Sequence, residues 1–149
     1  MTFMTIMKPP LLVTAAIITD QNKVLLVKRA REPFKGFWSF IGGVGAFEHA
    51  ADPEEAVKME VAGDIGCTFY PLFFGYNYEE HKNDEESKQF DLKSVVLYFY
   101  GNIKGDPVID PRYVSEWKWA SFKEAIKLEL AFEHQKMLRK FLQAFPHQY

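Results

Sequence analysis

Apolar residues fall along this chain in short blocks whose spacing switches between two periods. The blocks LLVTAAIITD (11–20) and KVLLVKRA (23–30) are rich in β-branched residues and are joined by the polar turn Asp20-Gln21-Asn22, which predicts a β-hairpin. FKGFWSFIGG (34–43) continues as a third extended piece, aromatic and punctuated by glycine. Further on, CTFYPLFFGYNY (67–78) and LKSVVLYFYGNI (92–103) read as strands flanking an acidic polar loop, Glu79 to Lys88, and VSEWKWASF (114–122) alternates like another strand.

Helical signals stand between and after these blocks. Asp52-Pro53-Glu54-Glu55 places a capping side chain, a proline at the first helical position and a Glu three residues past the cap, and Gly66 offers a stop. Ser121 to Glu124 is a capping box that predicts a short helix. In the last stretch Phe132, Met137, Leu138, Phe141, Leu142 and Phe145 recur near helical spacing and predict an amphipathic closing helix whose stripe is core. Strands before, between and after helices, without a regular βαβ alternation, point to an α+β sandwich of mixed strands.

Composition narrows the possibilities. A chain of 149 residues, 48% hydrophobic and with 14 Phe, 7 Tyr and 3 Trp, is expected to build one core as a single domain over residues 1–149, with 1–10 as an N-terminal extension. The net charge of -2 provides no broad basic surface, so neither a stable nucleic acid partner nor an anionic membrane is expected, and phosphate binding must be local. The single Cys67 suits a reducing compartment as a small buried residue. The opening MTFMTIMKPPLL lacks a basic lead and is broken by Pro9-Pro10, and no apolar run reaches membrane-spanning length, so the expected location is cytoplasmic.

Chemistry concentrates between Lys28 and Gly66. Positions four apart on a helix share a face, so Glu60 and Asp64 bring two carboxylates together. They form either an ordinary solvated face or a pair of oxygen ligands for a hard cation. Glu54 and Glu55 belong to the first turn, where the helix dipole favours negative charge. Upstream, Gly42-Gly43 brings bare backbone close to whatever the helix faces, and Lys28, Arg29 and Arg31 suggest a phosphate cleft beside it.

These segments resemble the Nudix hydrolases, whose signature runs G-x5-E-x7-R-E-U-x-E-E-x-G-U, with U a bulky aliphatic residue. The resemblance extends from about Val13 to Leu142 and is carried by VLLVKRAREPFKGFWSFIGG, DPEEAVKMEVAGDIGC and SEWKWASFKE; KRAREPFKGFW is similar to the approach to the signature in ADP-ribose and NADH pyrophosphatase-like members. Counted back from Gly66, Asp64 falls on the last signature Glu, Gly63 on the Glu before it, Glu60 on the Glu of Arg-Glu and Met59 on its Arg. Ala51 stands at the first Glu, Ile41 replaces the proline before the glycines, and the longer loop leaves Glu48 as a displaced version of that first Glu. Met59 and Ala51 remove both members of a bracing ion pair and strand neither. Gly63 removes a carboxylate and costs about 1 kcal/mol of helix propensity relative to alanine.

The resemblance implies an α/β/α sandwich around a mixed β-sheet and a MutT-like, magnesium-dependent pyrophosphatase. Its substrate would be a small nucleoside diphosphate derivative, ADP-ribose-like or a nucleotide sugar, cleaved by a metal-bound water. It implies Mg²⁺ or Mn²⁺ on Glu60 and Asp64 as the catalytic pair, with the Gly43 carbonyl and Glu48 completing the metal set, and Arg29, Arg31 and Trp38 as substrate contacts. Phe34, Phe47 and Tyr76 are further aromatic candidates for stacking on the base, and His49 for a ligand or proton donor. The general base stays open among Glu60 and the acids Glu79, Glu80, Asp84, Glu85 and Glu86. A homodimer is admitted. The alternative, motivated by Gly63, Met59 and Ala51, is a nucleotide-binding module that keeps the fold and has lost the chemistry.

Overall fold

The computed structural model describes residues 9–80 and 93–148. Strands β1 (Leu11–Asp20) and β2 (Lys23–Arg29) form the expected hairpin, with Gln21 taking the left-handed conformation that its tight turn demands. The third extended piece is not one strand. It splits into β3 (Trp38–Ser39), paired with β2, and β4 (Ile41–Gly43), paired with β1. Phe40 is the switch between the two partners: its side chain is buried, and its amide donates to His134 Nδ1 at 3.0 Å in place of a ladder partner.

Helix α1 (Pro53–Ile65) begins as its sequence dictates, with Glu55 N donating to Asp52 Oδ1 at 2.8 Å, and ends at Gly66 in the left-handed region. Strand β5 (Thr68–Glu80) follows and pairs antiparallel with β6 (Lys93–Lys104), which runs parallel to β1. Strand β7 (Val114–Ser121) pairs with β2. Helix α2 (Phe122–Ala125) starts at the capping box, and α3 (His134–Ala144) closes the fold. Among the described residues seven strands form one mixed sheet in the order β3-β2-β1-β6-β5, with β4 added to β1 and β7 to β2. No described helix is long and apolar enough to cross a membrane.

Strand alternation divides the core in two. Ala16, Ile18, Leu25, Val27, Phe69 and Phe99 face α1, whose Val57, Val61 and Ile65 recur every four residues to meet them. Ala15, Ile17, Val24, Leu26 and Tyr98 point the other way, onto Phe122, Met137, Leu138 and Phe141. The result is the expected sandwich, helices on both faces of a mixed sheet. Each fully buried side chain of this size contributes about 1.5–3 kcal/mol, and trimming Phe141 to alanine would cost about 3–5 kcal/mol through the void it leaves.

Two expectations are corrected here. The acidic stretch does not begin its loop at Glu79: both Glu79 and Glu80 belong to β5, paired with Ser94 and Lys93, because Glu79 finds hydrogen-bond donors inside the fold. Asp84, Glu85 and Glu86 lie outside the described residues. Phe132 is not part of the helical stripe; it precedes α3 with φ of 55° and turns toward a loop instead.

Candidate active site

Helix α1 is pinned to the sheet by its apolar side, which leaves Glu60, Gly63 and Asp64 on the wall of a cleft of about 610 Å³ shared with Arg29, Arg31 and the Gly42-Gly43 backbone. The two glycines make this approach possible for separate reasons. A Cβ at Gly42 would run into the Thr14 carbonyl across the β1–β4 ladder. At Gly43 it would sit 2.8 Å from Glu60 Oε1, inside contact distance, so this position is what lets the carboxylate close onto the β4 backbone. The Ala46 amide then donates to Glu60 Oε1 at 3.2 Å.

Burial raises the Glu60 carboxyl above its usual range, and the Ala46 hydrogen bond offsets part of that rise. Asp64 is pushed up to about 7, first by burial and then by the neighbouring Glu60 charge; Arg29 pulls it back down and Asp110 adds to the rise. A half-buried pair of carboxylates, both raised by burial and one raised further by its neighbour, is an arrangement short of positive charge. Gly63 stands between them with nothing within 4 Å of where a Cβ would project, so the position vacated by the signature Glu is open space.

Whether a divalent cation suits these groups turns on the donor set. Among the described residues no three His, Cys, Asp or Glu side chains converge on one point. Mg²⁺ is usually held by one or two carboxylates, keeps several waters and takes further oxygens from substrate phosphates, so two carboxylates in a cleft also lined by two arginines fit it. Burial raises Asp64 first and the Glu60 charge adds to it, and a cation between the two carboxylates would offset both.

The remaining sequence candidates separate. Arg29 and Arg31 both line the cleft. Arg29 is anchored by its Nε donating to the Pro33 carbonyl at 2.7 Å, with its guanidinium carbon 4.8 Å from the Phe132 ring centroid, and Arg31 lies 5.0 Å from the Tyr113 ring centroid. Glu48 and His49 are exposed on and beside the 3-10 turn Gly45–Glu48 and do not line the cleft. Trp38 is held elsewhere, with Lys118 Nζ at 4.5 Å and Lys28 Nζ at 5.9 Å from its ring centroid, because β3 aligns it with the β2–β7 ladder. Tyr76 is largely exposed, the Phe47 side chain lies outside the described part, and Phe34 packs on Phe37 and Phe132.

A second, smaller cavity of about 210 Å³ opens beside the cleft and shares Arg29, Gly42, Gly43 and Val44 with it. Val13, Ala15, Phe40, Phe132, His134 and Glu79 form the rest of its wall with their neighbours. Sequence reasoning did not find it, nor Tyr113 on the cleft wall, nor the influence of Asp110 on Asp64. These residues converge from segments about 100 positions apart and carry no local motif. The left-handed residues Phe34 and Phe132, which position its aromatic side, are likewise invisible to periodicity.

Comparison with known proteins places this geometry among relatives. A family model described as NUDIX domain matches residues 9–141. The ADP-ribose pyrophosphatase of Methanocaldococcus jannaschii is 27% identical over 135 residues, covering 89% of this chain and 73% of that protein. Among solved structures, the MutT protein from Methanosarcina mazei Go1 superposes with a TM-score of 0.75 at 20% identity, covering 94% of this chain and 98% of that one. The NUDIX domain of Shewanella oneidensis NrtR, in complex with ADP ribose, does so with a TM-score of 0.72 at 21% identity, covering 93% and 90%. At these identities the structural likeness speaks for the fold.

Proposed function

The chain belongs to the NUDIX domain family, and we propose from that premise that it is a pyrophosphohydrolase that splits the diphosphate of a small nucleoside diphosphate derivative of the ADP-ribose type. The observation that carries this is the cleft itself: the Glu60–Asp64 pair and the guanidinium-bearing Arg29 and Arg31 line one cavity along the Gly42-Gly43 backbone. The relation to an ADP-ribose pyrophosphatase supports the substrate class.

Each residue has a task that follows from its chemistry. Arg29 and Arg31 offer forked donors to phosphate oxygens, and Arg29 is already held in place by Pro33, so little of its freedom is lost on binding. Glu60 and Asp64 would hold Mg²⁺ or Mn²⁺, with the Gly43 backbone alongside; when bound, such an ion supplies charge neutralisation and an activated water. Glu60 is oriented by the Ala46 amide, and the Gly43 backbone leaves it room to sit at the cleft wall rather than in solvent. The open position at Gly63 leaves the ion with fewer protein ligands than the full signature, so activity should depend strongly on cation concentration.

Purified protein with Mg²⁺ or Mn²⁺ should release AMP and ribose 5-phosphate from ADP-ribose, and Glu60→Gln should slow this release by roughly 10²–10³. Binding without turnover, unaffected by that substitution, would instead identify a nucleotide-binding module, the reading favoured by Gly63, Met59 and Ala51.

A further inference from the structure

The smaller cavity beside the cleft holds a feature that the hydrolytic reading does not use. Its wall is largely apolar and aromatic, yet Glu79, only 1% exposed, belongs to it. A carboxylate is costly to bury unless it is held by donors. Among the described residues Glu79 has two: Tyr98 Oη donates to Oε2 at 2.7 Å and Asn77 Nδ2 donates to the same oxygen at 3.1 Å.

Those donors are themselves fixed. Lys136 Nζ donates to Asn77 Oδ1 at 3.2 Å, which sets the orientation of the Asn77 amide and turns its NH₂ toward Glu79. Burial and the Glu79 charge hold the Tyr98 phenol well above its ordinary value, so it stays a donor across the working pH range. An ionised carboxylate has about four acceptor sites, and these two bonds use half of them. The side chain is therefore rigid, desolvated and still able to accept. His134 lines the same cavity; its Nδ1 accepts from the Phe40 amide, which places the proton of the neutral ring on Nε2 and fixes the ring plane.

Size and position limit the occupant. About 210 Å³ is below the roughly 300–1,000 Å³ of pockets that enclose whole drug-sized ligands, so the cavity suits one flat ring system whose remainder extends outward. Arg29, Gly42 and Gly43 line both this cavity and the proposed diphosphate cleft, so the two adjoin. We infer that Glu79 is a specificity-determining residue, accepting a hydrogen bond from the exocyclic amine of an adenine-type base seated in this cavity. The inference rests on the proposed substrate class, since it takes the base to be the far end of the molecule whose diphosphate lies in the cleft.

Glutamine at position 79 makes a sharp probe. Tyr98 and Asn77 would still donate to its carbonyl oxygen, so the amide NH₂ would be the end left for the ligand, and a donor would meet the base amine. Affinity for AMP and for purine riboside 5′-monophosphate, the same ring without the amine, is measured by calorimetry in the absence of metal, with melting curves as a control for folding. The wild-type protein should bind AMP at least about tenfold more tightly, as expected for one charge-assisted hydrogen bond in a desolvated site, and Glu79→Gln should reduce that ratio to near one. Tyr98→Phe, which frees Glu79 to reorient, should lose part of the preference and serves if the first variant does not fold. Equal wild-type affinities, no binding of either ligand at millimolar concentration, or an undiminished preference in both variants overturns the inference. An amine preference in a protein that never hydrolyses ADP-ribose would sink the catalytic reading and leave this one standing, whereas hydrolysis without the preference would do the opposite.

Discussion

Asp64 and Glu79 are both carboxylates withdrawn from water, one on the α1 side of the sheet and one on the α3 side, and the fold treats them differently. Glu79 is held by two donors fixed by Lys136 and by burial among core residues, so its hydrogen bonding is matched inside the protein. Asp64 is raised to about 7 because burial and Glu60 both work against its charge and Arg29 offsets only part of that cost. A matched carboxylate is suited to reading a ligand without moving. An undermatched pair stores an unfavourable interaction that a cation and its phosphates can relieve, so binding there gains from a cost already present in the free protein.

The contrast is broken most severely at Glu60. Glu60→Gln keeps the contact with Ala46 and removes half of the paired charge, so hydrolysis of ADP-ribose should fall by roughly 10²–10³, read as AMP release, with the melting temperature unchanged or higher. The two glycines should part company next. Gly42→Ala forces β4 away from the Thr14 carbonyl and should cost about 3 kcal/mol of stability, measured by urea unfolding. Gly43→Ala pushes only on the end of the Glu60 side chain and should lower turnover roughly tenfold, with little change in stability.

Smaller effects sharpen the picture. Gly63→Glu places a third carboxylate in open space and restores helix propensity worth about 1 kcal/mol; apparent Mn²⁺ affinity should rise several-fold, and an unchanged value would mean that this face does not hold the ion. The smallest effect is in pH. Asp64 titrates near 7 when folded and near its ordinary 3.8 when unfolded. Between those values the folded chain keeps a proton that the unfolded chain has lost, so stability from this group falls as pH rises through the window and is constant above it. Without metal, Asp64→Asn should therefore be more stable than the wild type at pH 8, by about 1 kcal/mol or roughly 2–4 °C after allowing for solvent screening, with the gap closing toward pH 4.

Signals that act within a few residues were legible in the chain. The Asp52 cap, Pro53 and the Gly66 stop place α1 at Pro53–Ile65, and Ser121 with Glu124 places α2, since caps are satisfied by groups three positions away. The pairing of Glu60 with Asp64 followed from helical spacing, and both line one cleft with Arg29 and Arg31. What was misplaced depended on partners distant in sequence. The partner exchange at Phe40 needs His134, the burial of Glu79 needs Tyr98, and the pull of Trp38 away from the cleft needs Lys118.

The chain by itself thus determined which stretches become strand or helix and which helix face carries acid, because hydrophobic period, caps and turn residues act over one or two turns of backbone. Only the tertiary structure decided which acids find hydrogen-bond donors and which are left raised by burial and by a neighbouring charge. A buried carboxylate's fate is set by the donors and charges within a few ångströms of it, and here Tyr98 reaches Glu79 from 19 residues away while Lys136 orients Asn77 from 59 residues away.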